Sequence, residues 1–441
     1  MSTSAPNRTL LLGQTLSFCG NPFEQDPKTA IRHETHGAVL IENGRIAWLG
    51  PASDVGDRKL DVPVIDHGDA LIMAGFVDCH THFPQTDIIA SYGEKLLTWL
   101  ETYTFPQELR FDDPAFARDS ADFFLDQCLC NGTTTASVFG SVHPQSVDAF
   151  FIAASKRNLR MAAGKTCMDR NAPAGLTDTA QSAYDQSKSL IETWHQNGRN
   201  IYAITPRFAP TSTPEQLEAL GALWRENPTA LMQTHLSENL AEIAWVRELF
   251  PQHRDYLDVY EAFGLVGPGA IFGHAIYLEP REIDALTASG SAIAHCPTSN
   301  AFIGSGHFNI DTARDAAIHT GLATDIGAGS SFSMFATMKA AYEAAHHHHV
   351  SLHPVQAFWL ATMGGAKSMR LDNVIGNLAV GYEADLIIVD LASTALIERR
   401  CSNAQAFTDI LFAQMILADD RAIKQTWSAG ECVYDRHVMA G

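Results

Sequence analysis

Short apolar runs recur through the middle of the chain, several closing on a polar residue, with stretches of helical patterning between them. They are Leu71–Val77 ahead of His80, Gly132–Phe139, Arg160–Thr166, Tyr202–Phe208, Ala230–His235, Ala270–His274, Ser291–Pro297 and Gly321–Asp325, eight in all. Continuous apolar runs, rather than alternating ones, are the mark of strands buried on both faces of a parallel sheet. Helices between them carry start signals, such as Thr213 as N-cap ahead of Pro214 at the first helical position. Eight strands alternating with helices predict a (β/α)8 barrel.

The ends of the chain follow a different pattern. Ala38–Gly50 holds an Asn43-Gly44 turn between two apolar runs, Ala384–Asp390 reads as a strand, and Gln425–Tyr434 as a second turn-bounded pair. The expected class is therefore α/β: a TIM-like barrel with a small β-sandwich built from both termini. The expected divisions are residues 1–69 and 372–441 for the sandwich and 70–371 for the barrel.

Composition narrows the function classes. A chain of 441 residues that is 46% hydrophobic and 18% charged has room for one barrel plus a small domain around a large core. The formal charge of −20 argues against a nucleic-acid or anionic-membrane surface, both of which need clustered Lys and Arg, and leaves a small neutral substrate open. No basic start with an apolar core follows Met1, and no run reaches membrane-spanning length. The eight cysteines are dispersed without a paired framework, so reduced thiols in a cytoplasm are expected. Cys128 and Cys130 fall in a helical pattern and read as packing residues. His346–His349 fall on a helix expected to run from Met334, where consecutive residues do not share a face, and read as a polar surface stretch.

The chemistry lies at the ends of the apolar runs. His80 and His82 are spaced i, i+2, so on a strand both imidazoles project from one face. His235, His274 and Asp325 close three later runs, and polar side chains at the C-terminal ends of several barrel strands converge on one mouth. Such a cluster of imidazoles and a carboxylate suits a divalent transition metal; Zn²⁺ is expected, with Fe²⁺ acceptable to the same donors. Glu238, three residues past His235, is placed to reach a substrate as a proton shuttle. A different zinc-site signature, His-x-Glu followed by Pro-Cys-x-x-Cys, is absent.

Ala74-Gly-Phe-Val-Asp-Cys-His-Thr-His82 resembles the first-strand signature of the amidohydrolase superfamily, and His235, His274 and Asp325 follow in that family's order. His82-Phe-Pro-Gln85, Trp99–Pro106, Asn131–Thr135, Thr205-Pro-Arg-Phe208, His235-Leu-Ser-Glu-Asn239, Ile293–Asn300 and the stretch from Thr324 resemble the subgroup that deaminates guanine. The resemblance runs from about Gly37 to the C-terminus.

It implies that His80, His82, His235 and Asp325 hold one metal ion, that Asp325 also accepts a proton from water, and that His274 orients that water. Glu238 would then protonate ring N3 as hydroxide attacks C2 of guanine, giving xanthine and ammonia. Binuclear relatives carry a carboxylated lysine at the end of the fourth strand; Arg207 stands there and stays protonated, which implies a single metal, while Lys165 ends the third strand. Arg207 suits a purine oxygen and ring nitrogen, Gln85 can donate and accept at another edge, and Phe208 can stack on the base. The resemblance also implies a homodimer. The alternatives are a deaminase of another nitrogen heterocycle (8-oxoguanine, a pterin or a triazine) and a non-catalytic relative that keeps the barrel for assembly. The loop from Gly93 to Leu100 is a candidate cover for the site.

Overall fold

The computed structural model describes residues 8–59, 61–93 and 95–439; Met1–Asn7, where no leader pattern was read, and Glu94 of the candidate cover lie outside them. Strands β1 (Arg8–Phe18), β2 (Ile31–Glu42), β3 (Arg45–Pro51) and β4 (Val64–Ala74) open the described chain. The barrel strands are β5 (Phe76–His82), β6 (Thr133–Phe139), β7 (Arg160–Gly164), β9 (Ile201–Pro206), β10 (Leu231–Leu236), β11 (Ala270–His274), β12 (Ala292–His295) and β13 (His319–Leu322). A two-residue strand, β8 (Thr166–Cys167), pairs beside β9, and β14 (Leu386–Val389), β15 (Ile423–Ser428) and β16 (Glu431–Asp435) close the chain.

The eight barrel strands pair in parallel in the order β5-β6-β7-β9-β10-β11-β12-β13, as the apolar runs predict. Every residue of β5, β6 and β9 is buried, the burial expected of strands covered by helices on one side and filled by side chains on the other. The helix Pro214–Glu226 starts where expected, with Thr213 accepting from the Gln216 N–H.

The interior fills in layers. Alternation along β10 places Leu231, Gln233 and His235 on one face. Leu231 packs with Ala162, Ala203, Ile271 and Ala294 at the base of the barrel. Gln233 spans the next layer, accepting from Ser137 Oγ (2.7 Å) and donating to Val138 O (2.9 Å) and Thr205 Oγ1 (3.0 Å). His235 stands in the top layer. Gly273 is required there, because a Cβ on it would lie 2.8 Å from Cε1 of His80.

The barrel closes between β13 and β5 through the segment that follows β13. The N–H of Asp325 donates to His80 O (3.0 Å) and the N–H of His82 to Ile326 O (2.9 Å). Asp78 reinforces the seam from β5, taking the Thr324 N–H at 3.1 Å and the Thr324 hydroxyl.

The terminal strands form one continuous sheet in the order β16-β15-β14-β4-β1-β2-β3, with β1 and β4 parallel and the other pairs antiparallel. The expected two-layer packing arises because this sheet curls on itself. Ile46 N–H donates to Tyr382 O (2.9 Å) and Ala384 N–H to Gly44 O (2.8 Å), so the β2–β3 end meets the segment leading into β14. Leu11, Val39, Ile41, Ile72, Leu386, Ile388 and Trp427 fill the enclosed space. Asn43 and Gly44 both take positive φ (51° and 79°), the two-residue turn that matches strand twist.

A charged clamp ties this sheet to the barrel. Glu383 accepts from Arg160 Nε (2.7 Å) and from Arg199 Nη2 (2.6 Å), and Arg199 also reaches Asp385. Burial opposes the charge of Glu383, yet the two guanidinium groups hold its carboxyl below the ordinary range. Removing one member of a buried ionic cluster leaves the others uncompensated, at a cost of about 3 kcal/mol or more. Glu383→Ala is therefore expected to lower the calorimetric unfolding midpoint while leaving metal content intact. An unchanged midpoint would mean that the two parts are joined by other contacts.

Candidate metal centre and its pocket

The strand ends bring four of the expected residues to one point. Nε2 of His80 and His82 lie 3.2 Å apart, Nε2 of His82 and His235 lie 3.3 Å apart, and Asp325 Oδ1 is 3.4 Å from His80 and 3.2 Å from His82. All four donor atoms fall within 4.8 Å of one another. Ligands about 2.1 Å from a tetrahedral ion sit about 3.4 Å from each other, so these separations fit such an ion without rearrangement. The residues form a buried His/Asp metal-binding cluster.

The protonation states suit the same role. Burial pushes the His82 imidazole down to about 3, and burial followed by its histidine neighbours pushes His235 well below the ordinary value, so both rings are neutral. His235 Nδ1 sits 2.6 Å from Arg207 O, an arrangement that places its proton there and leaves Nε2 bare for a metal. Asp325 is buried, which works against its charge, but hydrogen bonds from His80 and His82 and the field of His274 hold it well below the usual carboxylate range. A second group, His80, His274, Cys296 and Asp325, is equally close-set. Burial pushes the Cys296 thiol far up, and Sγ already bonds Ala294 O at 3.3 Å, so this set lacks a thiolate to contribute.

His274 lies beside the cluster rather than in it. Its Nδ1 is 2.8 Å from Asn300 Oδ1, and its Nε2 is 3.4 Å from Glu238 Oε2 and 3.7 Å from Asp325 Oδ2. Burial and then the Asp325 charge raise the Glu238 carboxyl to about 8, against a hydrogen bond of 2.7 Å from Ser305 Oγ. Glu238 thus holds a proton at neutral pH. Its backbone is fixed by Glu242, which accepts the N–H of Glu238 (3.0 Å) and of Asn239 (3.1 Å) at the start of the helix Leu240–Leu249.

Backbone conformation concentrates strain here. Ser237, His274, Ala275 and Asp325 all take positive φ, at 47°, 67°, 50° and 50°. Non-glycine residues in this region cost of order 1 kcal/mol each and collect where a side chain must be aimed. The left-handed turns at the ends of β10, β11 and β13 redirect the chain so that Glu238, His274 and Asp325 face one cavity.

That cavity is lined by His82, His235, Glu238, His274 and Asp325 together with Gln85, Arg207 and Phe208. Leu96, Trp99, Leu100, Ile303 and Ala328 complete an apolar wall, so described residues of the candidate cover line the cavity. The lining, an apolar wall with a few convergent polar groups, suits a small ligand read by those groups. Arg207 does not face the cavity freely: Nη1 is bonded to both oxygens of Glu108, at 2.9 and 2.8 Å, and Gln85 Nε2 donates to the same carboxylate at 3.1 Å.

Sequence reasoning missed Glu108, Ser305, Asn300 and Asp78 as parts of the site. Asp78 and Asn300 fall inside motifs already singled out and could have been found there. Lys165 is buried but paired with Asp178, and it does not line the cavity. The histidine run is exposed. The helix from Met334 ends at His347, whose ring stacks on His307 at 3.8 Å, and His348 bonds His307 O.

Fold and site together define a metal-dependent hydrolase, and residues 71–433 match the model of the amidohydrolase family; the chain belongs to that family. It is 48% identical over 410 residues to the guanine deaminase of Escherichia coli (strain K12), covering 93% of each chain. The solved structure of E. coli guanine deaminase superposes with a TM-score of 0.94 at 46% identity, over 97% of this chain and 99% of that one. A guanine deaminase from C. acetobutylicum, solved with guanine bound in its active site, gives a TM-score of 0.88 at 26% identity, covering 97% of this chain and all of that one.

Purified protein is expected to carry about one equivalent of metal by mass spectrometric elemental analysis, and His82→Ala to lose most of it. A variant with full metal content would remove His82 from the ligand set.

Proposed function

We propose that the chain is a mononuclear zinc guanine deaminase, hydrolysing guanine at C2 to xanthine and ammonia. The observation that carries this reading is the lining of one cavity, which brings the His/Asp cluster and a carboxyl that keeps its proton together with Gln85, Arg207 and Phe208. The relatives named above are guanine deaminases over nearly their whole length, which supports the substrate assignment.

His80, His82, His235 and Asp325 would hold a divalent ion, whose Lewis acidity would bring a water proton within reach of neutral pH. Asp325 accepts that proton, its free Oδ2 facing His274 Nε2 at 3.7 Å, and His274 orients the nucleophile. Glu238 delivers its proton to ring N3 as the C2 centre becomes tetrahedral; on collapse the proton held by Asp325 passes to the departing amine and the C2 hydroxyl proton returns to Glu238. Arg207 and Gln85 hold the ring edge away from the reacting carbon, and Phe208 stacks on the face. Excluding water from this buried chamber strengthens each of these interactions.

A single ion is favoured because Arg207 follows the fourth barrel strand, where a carboxylated lysine would be needed, and because Lys165 is engaged by Asp178. Zinc is our assignment, and Fe²⁺ fits the same donors. A homodimer completes the reading. A cytoplasmic location agrees with eight free cysteines, and among the described residues no helix is long and apolar enough to cross a membrane. The intact donor set and Glu238 speak against a purely structural relative.

The test is the ultraviolet change of guanine with metal-loaded protein, alongside adenine and 8-oxoguanine. Guanine should be converted to xanthine, and Glu238→Gln should lower kcat by about 10²-fold or more. Turnover of another ring in place of guanine would overturn the substrate assignment and keep the metal chemistry. Because Glu238 acts in its protonated form, kcat should fall as pH rises through about 8. A profile flat to pH 9.5 would deny Glu238 that role.

A further inference from the structure

We infer that Glu108 is the positioning residue that sets the hydrogen-bond polarity of the ring-reading wall, by fixing Gln85 and Arg207 with one buried carboxylate. The inference rests on the functional reading above and goes beyond it.

Glu108 is fully buried, on the helix Phe105–Leu109 that continues the segment whose Leu96, Trp99 and Leu100 wall the cavity. Its Oε1 accepts from both Arg207 Nη1 (2.9 Å) and Gln85 Nε2 (3.1 Å), and its Oε2 accepts from Arg207 Nη1 at 2.8 Å. Its carbonyl takes Ser141 Oγ at 3.2 Å, anchoring the helix to the segment after β6. Neither Glu108 nor Asp87, the other carboxylate of this region, lines the cavity, so Glu108 acts through its partners.

The consequence concerns orientation. An amide can turn over at almost no cost in shape, exchanging its donor and acceptor ends. A carboxylate can only accept, so Glu108 forces Nε2 of Gln85 toward itself, while Oε1 takes the Gly327 N–H at 3.3 Å. One N–H and one lone pair of Gln85 remain, in defined places, for the ring. Arg207 likewise keeps Nε and Nη2 for the ring once Nη1 is committed, and its plane is fixed by two bonds. The ion pair is neutral as a unit, so the wall offers donors to an oxo-purine edge without a net charge that would select an anion.

Replacing Glu108 by Gln keeps the size but supplies an NH₂ where only acceptors stood. That NH₂ can face Gln85 only if the Gln85 amide turns over, which reverses what the ring meets. The test measures KM and kcat of wild type, Glu108→Gln and Glu108→Asp for guanine and for 2-aminopurine, which lacks the C6 oxygen, with metal content and unfolding midpoint on the same samples. Binding is read separately from turnover, by the fluorescence of 2-aminopurine and its displacement by guanine.

The expected result is a rise in KM for guanine of about 10- to 100-fold in Glu108→Gln, with metal content retained and kcat changed far less. Preference for guanine over 2-aminopurine should fall by a similar factor in binding and in turnover. Glu108→Asp, which keeps the charge but not the reach to Gln85, should lie between. The inference is overturned if either folded variant keeps the wild-type preference, or if both rings weaken equally with loss of metal. Absence of guanine turnover in the wild type would sink the functional reading instead, and the displacement measurement would still decide the part played by Glu108.

Discussion

Asp78, buried on β5, accepts the backbone N–H and the hydroxyl of Thr324, and so bonds the segment after the last barrel strand to the first. Everything at the mouth depends on that seam. His80 and His82 are on one side of it and Asp325 on the other, and the hydrogen bonds that close the barrel run between their own main-chain atoms. The carboxylate and the two imidazoles are therefore neighbours because the barrel is closed, and for no other reason. Burial at this dry joint raises the Asp78 carboxyl to about 6, against the hydrogen bonds it accepts from Thr324 and His80.

The same dryness sets the chemistry of the groups above it. Removing water disfavours charge, and neighbours decide which groups keep theirs. His82 and His235 lose the contest and stay neutral, as ligands must. Asp325 wins it through the hydrogen bonds of two imidazoles, while Glu238, with Asp325 as a near neighbour, stays protonated. Two carboxyl groups with opposite states in one cavity provide an acceptor and a donor at a single pH.

How much of this was legible in the sequence depends on range. His80 and His82 announced themselves because a period of two at the end of an apolar run has one structural meaning. His235, His274 and Asp325 were visible as polar ends to strand-like runs, although the ladder of β13 stops at Leu322 and Asp325 is delivered by a left-handed turn. Glu108 was not legible. It sits in Phe105-Pro-Gln-Glu-Leu, where a glutamate on a helix is ordinarily solvated, and its partner Arg207 is 99 positions away. The strands at Ala38–Gly50, Ala384–Asp390 and Gln425–Tyr434 were legible, whereas β1 was not singled out and Leu71–Ala74, the end of β4, was read into the first barrel strand; no local pattern says that β4 pairs with β14, or that one sheet curls to enclose its own core.

That pairing has a consequence for the order in which the molecule is made. Ala74 is matched with Leu386 and Leu71 with Val389, so one side of β4 must wait for chain that is synthesised after the entire barrel. Until then β4 has β1 on one flank and a bare edge on the other, an exposed row of unpaired main-chain groups of the kind that invites wrong partners. The barrel can close first, because its own strands are complete at Leu322, and the late strands then add to an edge held ready by β1. A nascent chain of this design is most vulnerable to aggregation between the emergence of β4 and the arrival of β14, the interval in which His80, His82, His235 and Asp325 themselves leave the ribosome.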